Sequence, residues 1–244
     1  MHRLVLVRHG ESEWNLKNLF TGWTDVDLTE KGHEQARETG RLLKEAGILP
    51  DKAYTSVLKR AVHTLDDILD ETDCVYIPVI KNWKLNERHY GALQGLNKQE
   101  TADKYGEEQV HTWRRSYSDR PPALEEDDPR NPAKDRKYLL VQDELPLCES
   151  LQDTIERAVP FYEEEIIPQL ADGETVIISA HGNTLRALVK FLDHLSPDTI
   201  SKLEISNGAP LIYELDGALQ VLNRYYLNDP KRTEELNSLV ARES

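Results

Sequence analysis

The sequence lacks several features that would assign the chain to a specialised class. Only two of its 244 residues are cysteines, Cys74 and Cys148, and their spacing fits neither a metal site nor a disulfide framework. No apolar run approaches the about eighteen residues needed to cross a bilayer, and charge returns at Arg8, too soon for a secretory signal. A Gly/Ser-rich linker and internal repeats are also missing. These absences predict one domain over residues 1–244, located in the cytoplasm.

The 30 Lys and Arg residues do not balance the 44 Asp and Glu residues, so the formal net charge is -14. Nucleic acid and anionic membranes both require a basic face, so neither is expected as the main partner. A small anion remains a candidate ligand, provided that Arg and Lys gather locally against the acidic background. Hydrophobic residues make up 39% of the chain, which is enough for one substantial core.

Hydrophobic periodicity predicts strands that alternate with helices. The predicted strands are residues 4–7, 52–55, 75–80, 175–179 and, as the last, 209–215; the helices are 30–46, 57–69, 98–105, 107–116, 183–192 and one that begins after Ser150 with a kink at Pro160. This alternation predicts an α/β fold, a three-layer α/β/α sandwich with a mostly parallel central sheet. The polar residues 96–149 should form an irregular, partly helical excursion over the core. Whether the charged tail at about 229–244 is a mobile cover of the site stays open.

Two histidines directly follow predicted strands, the place where open α/β sheets bind ligands. His9 follows the first strand and His181 the strand at 175–179, and each precedes a glycine, Gly10 or Gly182. The glycines should let backbone amides approach an anion, and the helix starting near Asn183 adds partial positive charge. A neutral imidazole is a competent nucleophile, and a second histidine can donate hydrogen bonds to phosphoryl oxygens. One strand-end histidine is more often structural, but the pair indicates phosphoryl transfer.

Six short motifs, spread over most of the chain, carry a family resemblance. The chain contains LVRHGESEWN at 6–15, FTGW at 20–23, TSVLKRA at 55–61, LNERHYG at 85–91, WRR at 113–115 and AHGN at 180–183. Together they resemble the cofactor-dependent phosphoglycerate mutases of the histidine phosphatase superfamily. The Arg-His-Gly triplet alone marks only the superfamily, whereas the motifs at 85–91 and 113–115 resemble the mutase branch. Cys148 and Ser206-Asn207 depart from the family pattern, and the second departure is expected to affect the rim of the site.

The resemblance implies a phosphoglycerate mutase-like fold and a role for each matching residue. His9 would become phosphorylated, Glu87 would be the general acid and base, and His181, Arg8 and Arg60 would complete the catalytic set. The residues expected to bind substrate are Arg8, Asn15, Thr21, Gly22, Arg60, Glu87, Tyr90, Lys98, Arg114, Arg115, Gly182 and Asn183.

The implied reaction interconverts 2-phosphoglycerate and 3-phosphoglycerate, in glycolysis and gluconeogenesis. In this reading 2,3-bisphosphoglycerate primes His9, and no metal takes part. Two alternatives remain: a phosphatase of the same superfamily acting on small phosphorylated metabolites, and a catalytically idle scaffold, which the intact catalytic positions disfavour. The expected partners are small phosphorylated three-carbon acids, and a homodimer is preferred over a monomer or tetramer.

Overall fold

A computed structural model describes residues 2–243, which form a six-stranded sheet with helices on both faces. The strands are β1 His2–Arg8, β2 Lys52–Thr55, β3 Val79–Lys81, β4 Thr175–Ala180, β5 Leu211–Leu215 and β6 Val221–Tyr226. Their order in the sheet is β3-β2-β4-β1-β5-β6. The first four in this order are parallel, while β5 runs antiparallel to both β1 and β6. The predicted α/β fold with a mostly parallel sheet is confirmed.

The helices fill the connections between the strands and continue beyond the last one. They are α1 Glu13–Leu16, α2 Glu30–Glu45, α3 Lys59–Glu71, α4 Lys98–Tyr105, α5 Glu107–Arg115, α6 Leu151–Phe161, α7 Ile167–Ala171, α8 Gly182–Leu192, α9 Pro197–Lys202 and α10 Pro230–Val240. The predicted start of α2 is confirmed, because the Thr29 hydroxyl accepts a hydrogen bond from the Gly32 amide. Ser150 caps α6 in the same way and forms a capping box with Asp153.

The strand β1 is apolar without alternation because both of its faces are covered. Leu4 and Leu6 pack into the core cluster that contains residues of α6 and α8. Val5 and Val7 point to the opposite face, where they join the cluster formed with α2 and α3. A strand buried on both sides is typical of a parallel sheet between two helical layers. This packing holds the carboxyl end of β1, and the residues that follow it, in a fixed position.

Several predicted boundaries differ from the structure. The strand predicted at 209–215 is not the last, because β6 follows it and pairs with it in antiparallel orientation. The strand predicted at 75–80 is reduced to β3. Helix α9 lay outside the prediction, and the irregularity expected at Pro160 is a π-helical turn at Tyr162–Ile166. The tail forms α10, whose Leu236 is buried in the core, so this segment packs beside β6. Within residues 2–243, no helix is both long and apolar enough to cross a membrane.

Candidate active site

A cavity of about 220 Å³ opens at the carboxyl ends of β1 and β4. It is lined by Arg8, His9, Asn15, Phe20, Thr21, Gly22, Arg60, Glu87, Tyr90, Lys98, Arg114, Arg115, Gly182, Asn183, Arg186, Glu204 and Ile205. Every residue predicted to bind substrate is in this set, and of the predicted catalytic residues only His181 is outside it. The lining holds six cationic side chains and two carboxylates, so it is strongly basic within an acidic protein. The volume, below the roughly 300 Å³ at which typical ligand pockets begin, suits a small anion.

His9 directly follows β1, and its ring is almost completely buried. The ring Nδ1 lies 2.7 Å from the carbonyl oxygen of Gly10. A carbonyl only accepts, so Nδ1 carries the proton and Nε2 keeps its lone pair. Burial, followed by the positive charges of Arg60 and Arg8, lowers the pKa of His9 well below 6.5. The side chain is therefore a neutral imidazole with its free lone pair on Nε2.

His181 immediately precedes α8 and lies beside His9, with 5.1 Å between the two ring centroids. The two strand-end imidazoles thus meet as the sequence predicts. The His181 Nε2 is 2.8 Å from the hydroxyl of Ser56, which itself accepts a hydrogen bond from the Leu58 amide. A serine hydroxyl can accept two hydrogen bonds and donate one, and the His181 Nε2 is the only acceptor that Ser56 Oγ reaches among the described residues. We therefore assign the hydroxyl hydrogen to Nε2 and the proton of His181 to Nδ1. This Nδ1 is buried and has no hydrogen-bond partner among the described residues, so a donor remains unused next to His9.

Two arginines, the buried Arg60 and the partly buried Arg8, flank His9. Arg60 donates from Nε to His9 Nε2 at 3.3 Å, and its other nitrogens donate to the carbonyls of Gly22 and Thr24. Arg8 donates to the carbonyl of Ile205 at 2.7 Å. Neither guanidinium forms an ion pair with a carboxylate of residues 2–243, and burial lowers the pKa of Arg60 to about 10. Both charges are thus desolvated and held by carbonyls, which leaves them attractive for an anion.

Glu87 is one of the two carboxylates that line the cavity. Its Oε1 accepts hydrogen bonds from the backbone amides of Arg88, at 2.8 Å, and Asn183, at 3.2 Å. The Asn183 side chain donates in turn to the Tyr90 hydroxyl at 3.3 Å. These bonds fix one carboxylate oxygen and connect the start of α8 to the segment that carries Glu87.

The excursion contributes a second group of cations, Lys98 from α4 and Arg114 and Arg115 from α5. Burial, and then the neighbouring positive charges of Arg114 and Arg8, lower the pKa of Lys98 to about 8. This pKa would rise if an anion bound beside the ammonium group. The excursion therefore forms the outer wall of the cavity and concentrates positive charge there.

Arg88 positions this outer wall, although the sequence analysis assigned no role to it. It is fully buried and donates to the carbonyls of Glu149 at 2.7 Å and Trp113 at 2.6 Å, with longer bonds to those of Arg114 and Asp119. Its guanidinium thus ties α5 to the rest of the domain through main-chain oxygens. Arg88 therefore helps to hold Arg114 and Arg115 of α5 in place at the cavity.

Four lining residues were missed by the sequence analysis: Phe20, Arg186, Glu204 and Ile205. Phe20 belongs to the quoted FTGW motif, so a signal for it existed. Arg186 follows the AHGN motif by one helical turn and donates to the Asn183 side chain at 3.0 Å. Glu204 and Ile205 precede β5 in an irregular segment that carries no recognisable motif. They reach the cavity only through the tertiary fold.

Two expectations about individual positions need correction. The Gly10 amide donates to the Thr64 hydroxyl at 3.0 Å and is not free for an anion. A Cβ atom at Gly10 would lie 2.2 Å from the carbonyl oxygen of Gly32, so close packing against α2 requires this glycine. Asn207, one of the departures from the family pattern, affects more than the rim, since its side chain donates to the His9 carbonyl at 2.7 Å. Cys148, the other departure, packs beside Gly91 and is not part of the cavity lining.

Comparison with known proteins decides the family. The model of the histidine phosphatase superfamily, branch 1, matches residues 4–228. The chain belongs to this superfamily. Solved structures similar to this superfamily member include mycobacterial hydrolase 1, at 22% identity and a TM-score of 0.70, with 92% of this chain and 96% of that chain covered.

Two further structures bear the names of phosphatases. A mycobacterial glucosyl-3-phosphoglycerate phosphatase has 22% identity and a TM-score of 0.68, and 92% of this chain and 96% of that chain are covered. The alpha-ribazole phosphatase from Shigella flexneri has 22% identity and a TM-score of 0.67, with 95% and 97% covered. At these identities the likeness establishes the histidine phosphatase fold and leaves the substrate undecided.

Proposed function

We propose that this histidine phosphatase superfamily member transfers phosphoryl groups through a phosphohistidine at His9. The observation that carries the proposal is the state of the His9 ring: Nδ1 is bound to the Gly10 carbonyl, and the lowered pKa keeps Nε2 unprotonated at neutral pH. Nε2 would attack the phosphorus in line, forming the N–P bond as the bond to the leaving oxygen breaks. Arg60 Nε, which donates to His9 Nε2 in this structure, would donate to a phosphoryl oxygen instead.

The charge on the transferred group would be stabilised by fixed donors around His9. Arg8 and Arg60 supply desolvated guanidinium groups, and the unused Nδ1–H of His181 supplies a third donor. Asn15 joins them from α1, where its Oδ1 accepts from the Ser12 amide and its Nδ2 is left to donate. Donors that are already oriented need no reorganisation during the reaction, so they lower its barrier.

Glu87 would move the proton that accompanies each transfer. It would protonate the leaving oxygen when His9 takes the phosphoryl group and would remove the proton from the hydroxyl that receives it. Because both backbone amides bind Oε1, the proton would be held on Oε2. The carboxylate lines the same cavity as His9 and the outer wall, so it would be within the space that a bound substrate occupies.

The outer wall indicates a substrate with a second anionic group. Lys98, Arg114 and Arg115 offer more positive charge than one phosphoryl group needs, and Tyr90 adds a hydroxyl. A phosphoglycerate, which has both a phosphate and a carboxylate, fits this division into two subsites. We therefore favour a phosphoglycerate mutase that interconverts 2-phosphoglycerate and 3-phosphoglycerate. In this cycle 2,3-bisphosphoglycerate primes His9, phosphohistidine passes its phosphoryl group to a monophosphoglycerate, and the reoriented bisphosphate returns the other phosphoryl group to His9.

The proposal includes no metal ion. Among residues 2–243, no group of three or more His, Cys, Asp or Glu side chains is arranged to hold one. The six cations of the cavity can instead neutralise the phosphoryl charge directly, and they would repel a divalent cation.

A phosphatase acting on small phosphorylated metabolites is the second candidate. It is favoured by two of the similar solved structures, the glucosyl-3-phosphoglycerate phosphatase and the alpha-ribazole phosphatase. In that case water, activated by Glu87, would discharge the phosphohistidine in place of a second phosphoglycerate. The two functions share every step up to the phosphoenzyme and differ only in the acceptor.

The deciding experiment is a coupled assay of 3-phosphoglycerate conversion, run with and without added 2,3-bisphosphoglycerate. A mutase should form 2-phosphoglycerate at a rate that rises with the bisphosphate and should release little phosphate. Phosphate release without 2-phosphoglycerate would refute the mutase and support the phosphatase.

The phosphohistidine is tested separately by labelling with 2,3-bisphosphoglycerate that contains radioactive phosphate. His9→Ala should abolish the label and turnover while unfolding stays cooperative. His194→Asn is the matched control, because His194 is exposed and has a φ of 52°, which asparagine tolerates. Turnover at the wild-type rate in the His9 variant would contradict the nucleophile assignment.

A further inference from the structure

Glu204 lies at the mouth of the cavity and forms an ion pair with Arg115 of the outer wall. Its carboxylate thus binds the guanidinium of Arg115, which the proposed function assigns to the substrate carboxylate. The pair is also the boundary between the cavity and a neighbouring open groove, because Arg115 and Glu204 line both. The Glu204 carboxylate therefore lies where an anionic group of a ligand would bind.

The backbone around Glu204 is anchored independently of this ion pair. The next residue, Ile205, accepts a hydrogen bond from Arg8 through its carbonyl at 2.7 Å. On the other side, the Ile200 carbonyl accepts two hydrogen bonds from Arg186, the shorter being 2.6 Å. Because main-chain contacts hold the segment at both ends, the Glu204 side chain can leave Arg115 by side-chain rotation alone.

We infer that Glu204 is a specificity-determining residue that competes with the second anionic group of the ligand for Arg115. The inference rests on the proposed function, which assigns Arg115 to the substrate carboxylate. A ligand with both a phosphate and a carboxylate must displace Glu204 to bind fully, whereas a ligand with a phosphate alone leaves the pair intact. Glu204 thereby sets the affinity of the site for two-anion ligands relative to one-anion ligands.

The expected effect is modest because the pair is accessible to water. The side chain of Glu204 is 66% exposed and that of Arg115 is 26% exposed. Exposed ion pairs contribute little to stability, so displacing this one should weaken ligand binding by about two- to fivefold. Screening by salt should reduce the factor further.

The test compares ligand dissociation constants of the wild-type protein and Glu204→Gln by isothermal titration calorimetry at low salt. The ligands are 3-phosphoglycerate, which has two anionic groups, and glycerol 3-phosphate and inorganic phosphate, which have one. Glu204→Gln should lower the dissociation constant of 3-phosphoglycerate about two- to fivefold and should change those of the other two ligands by less than about 1.5-fold. Asp198→Asn is the matched control: it removes an exposed carboxylate from the adjoining groove without touching Arg115, and it should not discriminate between the ligands.

Two results would overturn the inference. An equal gain for all three ligands would mean that Glu204 acts only through its general charge, and weaker 3-phosphoglycerate binding would mean that it holds Arg115 in the binding position. The same titrations judge the proposed function separately. If both proteins prefer 3-phosphoglycerate over glycerol 3-phosphate by the same factor, only the role of Glu204 fails; if neither shows a preference, the carboxylate subsite fails as well.

Discussion

Three buried histidines are expected to make the folded protein lose stability at mildly acidic pH. Burial lowers the pKa of His9 and His181 well below 6.5, and lowers that of His89 to about 3. In the unfolded chain each imidazole returns to a pKa of about 6.5. Below that pH the unfolded state binds more protons than the folded state, so the free energy of unfolding falls as the pH falls.

The magnitude follows from the number of buried rings. For each histidine that stays neutral in the folded state, the free energy of unfolding falls by about 1.4 kcal/mol for every pH unit below 6.5. Between pH 8 and pH 5 each ring should remove about 2 kcal/mol, and the three together about 6 kcal/mol. A domain with a total stability of about 5–15 kcal/mol would lose much of it. The pKa of Asp193 is raised by burial, so protonation of this carboxyl at low pH favours the folded state and opposes the effect of the histidines. The comparison should therefore stop at pH 5.

Urea unfolding followed by tryptophan fluorescence at pH 8, 7, 6 and 5 would measure this loss. His9→Asn should remove about one third of the pH dependence, because one of the three neutral rings is replaced. The exposed His194→Asn variant should retain all of it. A total change below about 2 kcal/mol between pH 8 and pH 5, or an unchanged slope in His9→Asn, would refute the reasoning.

Two further predictions concern residues that position the site. Arg88→Met removes the donor to several buried carbonyls, so the free energy of unfolding in urea should fall by more than about 3 kcal/mol, while the exposed control Arg136→Met should change it by less than about 0.5 kcal/mol. Equal effects of the two substitutions would contradict the anchoring role. Asn207→Ala removes the hydrogen bond to the His9 carbonyl and should lower kcat roughly tenfold with little change in KM; a raised KM at unchanged kcat would show that Asn207 acts on binding instead.

Local sequence signals predicted those parts of the fold that local chemistry controls. The starts of α2 and α6 were predictable because the hydroxyls of Thr29 and Ser150 bind amides only three residues away. The strands β1 and β4 were predicted because each has a nearly continuous apolar run. In contrast, β6 is half exposed at the sheet edge and most residues of α10 are polar or charged, so neither shows a strong apolar pattern. β6 is stabilised by pairing with β5, and α10 by packing against β6; hydrophobic periodicity along the chain carries no information on such contacts.

The sequence by itself determined the alternation of strands and helices, the two histidines at strand ends and, through the motifs, nearly all of the cavity lining. These features depend on residue type and on neighbours close along the chain. Only the tertiary structure decided the tautomer of His9, the anchoring by Arg88 and the ion pair between Arg115 and Glu204, two residues 89 positions apart. Such contacts exist only when the chain is folded, because the sheet order and the excursion bring together segments that share no local pattern.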